Sequence, residues 1–309
     1  MGIYVYPTDI EWFRFLKARS PLDEVNFWQP GGTHEFNRLK PGELFLFRLK
    51  SPINMIAGGG VFEHGSLFPL NEAWEAFGEK NGVPSFDALY TAIDRYRRKQ
   101  SVESTRPDSN IGCIILQSPF FLDQHDWIPV PTDYHSNLVQ GKRFSLDSAT
   151  GQHLLNWATG RLRVSAVREG IASVPGPTYG DPSQVRRRLG QGAFRVLVAD
   201  AYDRRCAVTG EKTLPVLEAA HIMPVGRGGE HRVDNGLLLR SDLHKLFDLG
   251  YVTVTPVGDF RVSSKLRETW MNGKIYYAMD KQTIRLPSSA ISQPSQVFLE
   301  WHNDTVFRP

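Results

Sequence analysis

Two histidines, an asparagine and an aspartate in the second half of the chain have types and spacings that suit metal-assisted hydrolysis. His221 ends an apolar run, Asn235 follows 14 positions later, and His244 follows 9 positions after that. His244 and Asp248 are four residues apart, so on a helix they would share one face and could bind one cation. A neutral histidine can take a proton from an attacking water molecule near pH 7. These residues therefore predict a general base beside a divalent metal ion.

The segments around these positions resemble the HNH endonucleases, whose ββα-metal fold holds one divalent ion over the scissile phosphate. The resemblance covers residues 195–262 and rests on the runs LEAAHIMP, NGLLL and LHKLFDLG. It implies that His221 is the general base and that Asn235 fixes its imidazole through a carbonyl oxygen. It also implies that His244 completes the catalytic set and binds the metal ion together with Asp248.

The metal site implied by this resemblance lacks one ligand. Many HNH enzymes carry a ligand immediately before the general base, where this chain has Ala220. Glu218 lies two residues earlier, on the same side of a strand, and its longer side chain is the candidate replacement. Imidazole and carboxylate ligands with open water positions suit Mg²⁺ or Mn²⁺, and also Co²⁺ or Ni²⁺. With only two cysteines, Cys113 and Cys206, no structural zinc is expected.

The elements that must position these residues are readable from the flanking sequence. An apolar strand is expected to end at His221, and the glycine-rich segment Pro224 to His231 is expected to form a wide turn before the strand Leu237–Leu239. A helix carrying His244 would follow. The nuclease core would then be two strands and a helix.

Length and composition place this core in a larger protein. The chain has 309 residues, about twice a typical domain, with 41% hydrophobic and 22% charged residues, so an ordinary globular protein of two domains is expected. We predict the α+β class: a β-rich domain over 1–155, a linker rich in proline and glycine over 156–188, and the nuclease domain over 189–309.

The first half alternates strand-like runs with helical segments. Strands are predicted over 43–49 and 111–116, and helices over 71–79 and 85–100. Three consecutive glycines, 58–60, predict a bulge or the close approach of a backbone or a ligand. The runs NFWQP, LKPGELFLF, IAGGGVF and AWEAFG resemble the EVE branch of the PUA-like superfamily over about residues 1–145.

That second resemblance implies that the first domain binds a modified base in a pocket. Joined to an HNH domain, it is similar to modification-dependent restriction endonucleases that cut double-stranded DNA carrying 5-methylcytosine or 5-hydroxymethylcytosine. Reading such a base requires flipping it out of the duplex, and aromatic stacking must offset that cost. The candidate pocket residues are Trp28, Phe62, Trp74, Trp127 and Asn26. For each aromatic side chain, packing in the core is the alternative.

Positive charge is concentrated where the two predicted domains join. Residues 161–210 contain nine arginines against four acidic residues, although the whole chain carries a net charge of only +3. This surplus predicts contacts with the phosphate backbone, and a solvated helix face is the alternative. The candidate arginines are Arg186, Arg187, Arg188, Arg204, Arg205 and Arg227.

Two other functions fit the same residues. The nuclease could act on RNA or single-stranded nucleic acid, or the missing ligand at Ala220 could make the chain a non-catalytic binding module for modified DNA. No secretory signal pattern and no run of 18 apolar residues is present, so a cytoplasmic protein without a membrane partner is expected. Because one ββα site cuts one strand, double-strand cleavage would require two sites or sequential nicks, and a homodimer would supply the two sites.

Overall fold

The computed structural model describes residues 2–99, 105–134, 140–168 and 189–309. The chain divides into two compact units, Met1–Arg186 and Arg187–Pro309. Both units combine helices with β-sheets, so the predicted α+β class is confirmed. In the described ranges, no helix has the length and apolar character needed to cross a bilayer.

Seven strands of the first unit form one sheet in the order β2-β5-β4-β3-β1-β7, with β6 paired to β4. The β1–β3 pair is parallel and the other pairs are antiparallel. The strands are β1 (Gly2–Thr8), β2 (Glu24–Gln29), β3 (Leu44–Leu49), β4 (Met55–Pro69), β5 (Asn110–Phe121), β6 (Ile128–Pro129) and β7 (Lys142–Ser145).

Both faces of this sheet are buried, because successive apolar side chains along its strands point to opposite faces. In β3, Phe45 and Phe47 join an aromatic cluster with Trp12, whereas Leu44 and Leu46 join a mostly aliphatic cluster on the opposite face. The helices that accompany the sheet are α1 (Ile10–Lys17), α2 (Leu70–Phe77), α3 (Phe86–Lys99) and α4 (Ala149–Arg168). The predicted strands over 43–49 and 111–116 and the helices over 71–79 and 85–100 are thus present to within a few residues.

The three glycines at 58–60 lie where β4 passes between two neighbours. The pairing of β4 with β5 shifts register between Gly59 and Val61, which confirms the predicted bulge. A Cβ atom on Gly58 would overlap the carbonyl oxygen of Phe120 on β5. The close approach that requires glycine here is therefore that of a neighbouring strand.

Helix α4 corrects the predicted boundary of the first domain at residue 155. The helix runs to Arg168, and Ala158 and Leu162 are buried in the same aliphatic cluster as Ile3. This part of the predicted linker 156–188 is therefore helical. Its apolar residues recur at four-residue spacing, a pattern that the neighbouring glycines and prolines obscured.

The second unit contains the predicted two strands and helix. Strands β8 (Leu217–His221) and β9 (Gly236–Arg240) are antiparallel, and α6 (Ser241–Asp248) begins directly after β9. Helix α5 (Gln191–Ala201) contacts both strands. The remaining elements are the antiparallel pair β10 (Val252–Val254) and β11 (Phe260–Val262), and the helices α7 (Lys265–Trp270), α8 (Lys274–Tyr277) and α9 (Gln296–Thr305).

Candidate active site

The β8–β9–α6 segment brings His221 and His244 to one region of the second unit. His221 is the last residue of β8 and is paired with Gly236 at the start of β9. On α6, Leu243 and Phe247 are buried, which turns the adjacent side chains of His244 and Asp248 toward the surface. The sequence positions of the predicted site residues therefore correspond to the end of one strand, for His221, and to the outer face of one amphipathic helix, for His244 and Asp248.

The imidazole of His221 is held between an aromatic ring and a second histidine. It stacks on Phe194 of α5, with ring centroids 3.9 Å apart and an interplanar angle of 13°. Its Nε2 atom lies 3.0 Å from Nδ1 of His231. Burial, followed by repulsion from His231 and then from His244, lowers the pKa of His221 to about 4. The ring is therefore neutral at physiological pH.

Asn235 has a different contact from the one predicted. Its buried side chain accepts a hydrogen bond from the Met223 backbone N–H and donates to the carbonyl oxygens of Met223 and Glu230, each at 2.9 Å. Within the described ranges, the hydrogen-bond partner of the His221 ring is His231. Asn235 thus closes the loop between the two strands, because its amide can satisfy backbone groups from both ends of that loop.

The predicted metal ligands meet around His244. Its Nδ1 atom lies 2.5 Å from Oε2 of Glu218, and its Nε2 atom lies 3.4 Å from Oδ2 of Asp248. The two carboxylates face different nitrogens of one ring. Consistent with this, no group of three or more His, Cys, Asp or Glu side chains in the described parts of the chain is arranged to hold a metal ion.

Glu218 and His244 are the two predicted metal ligands that lie closest to one another. A carboxylate oxygen and an imidazole nitrogen converge at hydrogen-bond distance, and about half of the Glu218 side chain is exposed. Nitrogen and oxygen donors at a solvent-accessible site suit a first-row divalent metal or Mg²⁺ with additional water ligands. Asp248 lies at the opposite edge of the imidazole, next to Nε2, and so does not share the nitrogen that Glu218 contacts.

His231 and Phe194 were not anticipated as parts of this site. His231 was interpreted only as the end of a glycine-rich turn. It is the one histidine between His221 and Asn235 in the sequence. Because the turn that carries it must fold back toward His221, this position could have predicted the contact. Phe194 belongs to a separate helix, and its sequence distance from His221 gave no indication of stacking.

The predicted phosphate-binding arginines have different environments. Arg204 forms an ion pair with Asp200 on the preceding helix at 3.0 Å, and Arg205 is half-buried. Arg227 is exposed in the loop between β8 and β9. The other three predicted arginines, Arg186, Arg187 and Arg188, lie outside the described residues.

The first unit contains a cavity of about 580 Å³ near the start of α1. Trp28 lines this cavity, and the other four predicted pocket residues do not. Phe62 is buried in the aromatic cluster, and Asn26 is fully buried with its amide donating to Asn81 at 2.8 Å. Trp28 also donates to Asn81, at its backbone oxygen. Asn26 and Trp28 share a face of β2, but only Trp28, near the strand end, reaches the cavity.

The remaining two predicted aromatics, Trp127 and Trp74, lie outside the cavity. Trp127 packs edge-to-face on Phe13 and donates its indole N–H to the Leu122 carbonyl oxygen. Trp74 is half-buried on α2. The contacts of Trp127 therefore support core packing for that residue.

The cavity walls combine aromatic rings with a short polar chain. Lys50 Nζ donates to the Tyr96 hydroxyl at 2.9 Å, and that hydroxyl donates to Oδ2 of Asp9 at 3.2 Å. Gln29 donates to the hydroxyl of Tyr6 at 2.9 Å. Asp9 also caps α1 by accepting from the Glu11 N–H. Such a capping aspartate is a recognisable sequence feature, but its second contact with Tyr96 depends on tertiary structure.

Comparison with known proteins identifies one segment. Residues 206–255 match a family model described as HNH endonuclease, which confirms the predicted resemblance for this segment of the second unit. No curated protein sequence matches the chain.

Three solved structures show weak similarity. A point mutant of the ASCH protein ZmASCH from Zymomonas mobilis has 11% identity and a TM-score of 0.33, covering 50% of this chain and 98% of its own. A second mutant of that protein has 10% identity and a TM-score of 0.30, covering 50% and 94%. A structure described as the modification-dependent TagI restriction endonuclease has 13% identity and a TM-score of 0.30, covering 97% of this chain and 81% of its own.

Proposed function

We propose that the chain is a divalent-metal-dependent endonuclease whose first unit reads a modified cytosine in double-stranded DNA. The HNH match over residues 206–255 supports phosphodiester hydrolysis by the second unit. The aromatic cavity of the first unit supports base reading. The proposed class is a modification-dependent restriction endonuclease acting on 5-methyl- or 5-hydroxymethylcytosine DNA.

The observation that carries the hydrolytic role is the environment of His221. Its ring is held by stacking on Phe194 and by the hydrogen bond to His231, and its pKa of about 4 leaves it unprotonated at neutral pH. We assign it as the general base that takes a proton from the attacking water. If His221 donates from Nε2 to Nδ1 of His231, its own Nδ1 keeps a lone pair for that proton.

His231 and Asn235 are proposed as positioning residues. His231 selects the tautomer of His221 and limits rotation of the ring through the 3.0 Å contact. Asn235 holds the backbone of Met223 and Glu230, and Glu230 directly precedes His231. Asn235 would therefore position the base indirectly, because it fixes the loop that carries His231, the hydrogen-bond partner of His221.

Glu218 and His244 are proposed as the metal ligands, with Asp248 as an additional carboxylate at the other edge of the imidazole. A bound Mg²⁺ or Mn²⁺ would supply stabilisation of negative charge on the phosphate and on the departing 3′ oxygen. Glu218 and His244 would hold the ion in the same region of the second unit as the neutral His221. Of the arginines that the sequence predicted as phosphate contacts, exposed Arg227 in the β8–β9 loop is the described one that we propose for this role.

The cavity of the first unit is proposed to receive the flipped base. Trp28, Tyr6 and Tyr96 offer ring faces for stacking, and Asp9 and Gln29 offer an acceptor and a donor for the base edge. A volume of about 580 Å³ lies within the range of small-molecule pockets. Burial raises the pKa of the Tyr6 hydroxyl, so this group stays neutral and able to donate.

Matched substrates test the proposal directly. Duplexes of one sequence carrying cytosine, 5-methylcytosine or 5-hydroxymethylcytosine, together with matching RNA and single-stranded DNA, would be incubated with the full chain and Mg²⁺ or Mn²⁺. We expect cleavage of modified duplexes only. Equal cleavage of the unmodified duplex would refute the reading role, and preferential cleavage of RNA or single strands would favour that substrate class instead.

A second comparison tests catalysis. If the wild type cuts no substrate with either ion but binds the modified duplex, the chain is a binding module and the nuclease assignment is wrong. Because one site cuts one strand, nicked intermediates would indicate successive cuts. If the nicked species accumulate only at low protein concentration, a homodimer that dissociates on dilution would be indicated.

A further inference from the structure

The turn between α7 and α8 displays three large apolar side chains. Met271 is 92% exposed, and Trp270 and Ile275 are each 64% exposed. We call these three residues the apolar tip. Single exposed apolar residues are common on protein surfaces, but a cluster within six consecutive residues marks a binding surface more often than a folding requirement.

Met271 is also in an unfavourable backbone conformation. It has φ of 52° in the left-handed region, at the position that ends α7. Glycine or asparagine is preferred at helix ends in this conformation, and other residues pay roughly 1–2 kcal/mol for it. With its side chain almost fully exposed, Met271 gains little from burial. Stability of the fold therefore does not explain a methionine at this position.

The tip stands on an ordered base. Tyr277 donates its hydroxyl to the Ser263 carbonyl oxygen at 2.8 Å and accepts from the Arg267 backbone N–H at 3.0 Å. Leu266 is buried against Gly273, where a Cβ atom would crowd its side chain. The apolar side chains thus project from a fixed turn, which reduces the entropy that binding would cost.

Basic residues flank the tip in the sequence, and a hydrogen bond links α8 to the active-site helix. Lys265, Arg267 and Lys274 are exposed on α7 and α8, against one exposed acid, Glu268. On α8, the hydroxyl of Tyr276 donates to Oδ2 of Asp242 at 3.2 Å. Asp242 lies in the first turn of α6, the helix that carries His244. The tip is therefore tied to the element that would hold the metal ion.

We propose that the apolar tip inserts into the minor groove of duplex DNA next to the strand that is cut. Methionine, isoleucine and other apolar side chains wedge between base steps in this groove, and a tryptophan can stack on an unstacked base. The exposed cations flanking the tip would contact the phosphates on either side. This inference rests on the proposed function because it takes DNA as the partner.

A substitution at Met271 separates binding from folding. Met271→Gly removes the wedge and relieves the left-handed strain, so its unfolding temperature should equal or exceed that of the wild type. Its affinity for a fluorescein-labelled unmodified duplex, measured by anisotropy without divalent ions, should nevertheless fall. Trp270→Ala should weaken affinity roughly 5- to 150-fold, the range for loss of one stacking side chain. The control is Val297→Ala on α9, where a valine 70% exposed should be dispensable.

A salt titration tests the flanking cations. Lys274→Ala and Arg267→Ala should each reduce the slope of log affinity against log salt by about one. Unchanged affinity in both Met271→Gly and Trp270→Ala, with folding intact, would overturn the inference. Loss of a wild-type dimer in the tip variants, seen by sedimentation, would also overturn it and assign the surface to a second copy of this chain.

The failure of this inference can be told apart from the failure of the nuclease assignment. The tip is measured by DNA binding without metal, whereas catalysis is measured by cleavage. If the wild type cleaves and the tip variants bind normally, only the tip proposal falls. If the wild type binds through the tip but cleaves nothing, only the nuclease assignment falls.

Discussion

The two units use aromatic side chains in different ways. In the first unit, Phe27, Phe45 and Phe47 pack on one another and on neighbouring aromatic rings, and tyrosine and tryptophan side chains are among those that line the cavity beside them. In the second unit, two phenylalanines each stack on a histidine: Phe194 on His221 and Phe247 on His302, at 3.9 and 3.7 Å. The phenylalanine rings of the first arrangement carry no titratable group. The second keeps titratable rings neutral.

This difference matches the division of labour that we propose. A base pocket needs fixed surfaces, because stacking depends on ring position and not on charge. A hydrolytic site needs a group that can gain and lose a proton. The predictions below test whether the two units can be altered independently, beginning with the largest expected effect.

Replacing the base should break catalysis and spare reading. His221→Ala should reduce the cleavage rate roughly 100- to 10,000-fold, the usual contribution of a general base. Binding of a modified duplex, measured by anisotropy, should stay within about twofold because the pocket lies in the other unit. His125→Ala changes an exposed histidine of the first unit and serves as the control. Equal loss of binding in His221→Ala would contradict the division.

Acid should destabilise the second unit through its buried histidines. His302 is 1% exposed, and burial lowers its pKa to about 4. Below the unfolded-state value near 6.5, the unfolded chain gains a proton that the folded unit excludes. The stability from this group is therefore complete above pH 6.5 and is lost as the pH falls toward 4, by about 3 kcal/mol in total.

Hydrogen exchange read by mass spectrometry can locate this loss in the full chain. Between pH 6.5 and 4, after correction for intrinsic exchange rates, protection should fall in peptides from α6 and α9, relative to peptides from β3 and β4. His302→Phe should be less stable at neutral pH, since it loses the hydrogen bonds to Thr253 and to the Phe247 carbonyl oxygen. Its stability should vary less with pH. An unchanged pH dependence in this variant would assign the acid effect to other groups.

Removing an aromatic wall should weaken reading and spare catalysis. Trp28→Ala should reduce the preference for modified over unmodified duplexes by roughly 1–3 kcal/mol, the contribution of one base–aromatic stack. Trp74→Ala is the matched control, because Trp74 is half-buried outside the cavity. Both variants need a thermal unfolding check. A larger loss of preference in Trp74→Ala would place the reader elsewhere in the first unit.

Sequence reasoning succeeded where one local element carries the information. The strand ending at His221 and the helix placing His244 and Asp248 on one face follow from short-range pattern, and the structure has both. Prediction of Asn235 as a direct partner of the imidazole failed. Its contacts depend on the path of a loop, which residue types and spacing do not determine.

The cavity shows the same limit. Trp28 lines the cavity, but Asn26, two residues earlier on the same face of β2, is buried and donates to Asn81. Tyr96 and Asp9 are 87 residues apart in the sequence and are joined by a hydrogen bond in the folded unit. No local sequence pattern predicts such pairs, because the sequence of a helix does not show which neighbouring element it will contact.

The smallest predicted effect concerns His231, whose role is to position His221. His231→Ala should lower the cleavage rate about 10- to 100-fold, as expected for a partner that orients a catalytic ligand. His231→Gln can still accept or donate near the 3.0 Å contact and should recover part of the rate. A merely structural role would predict equal losses in both variants, in proportion to their stability.

The nitrogen chemical shifts of His221 by NMR give an independent measure, because they report which ring nitrogen carries the proton. We expect one tautomer to dominate in the wild type and in His231→Gln, and a mixture in His231→Ala. A single unchanged tautomer in all three would show that Phe194 stacking alone positions the base.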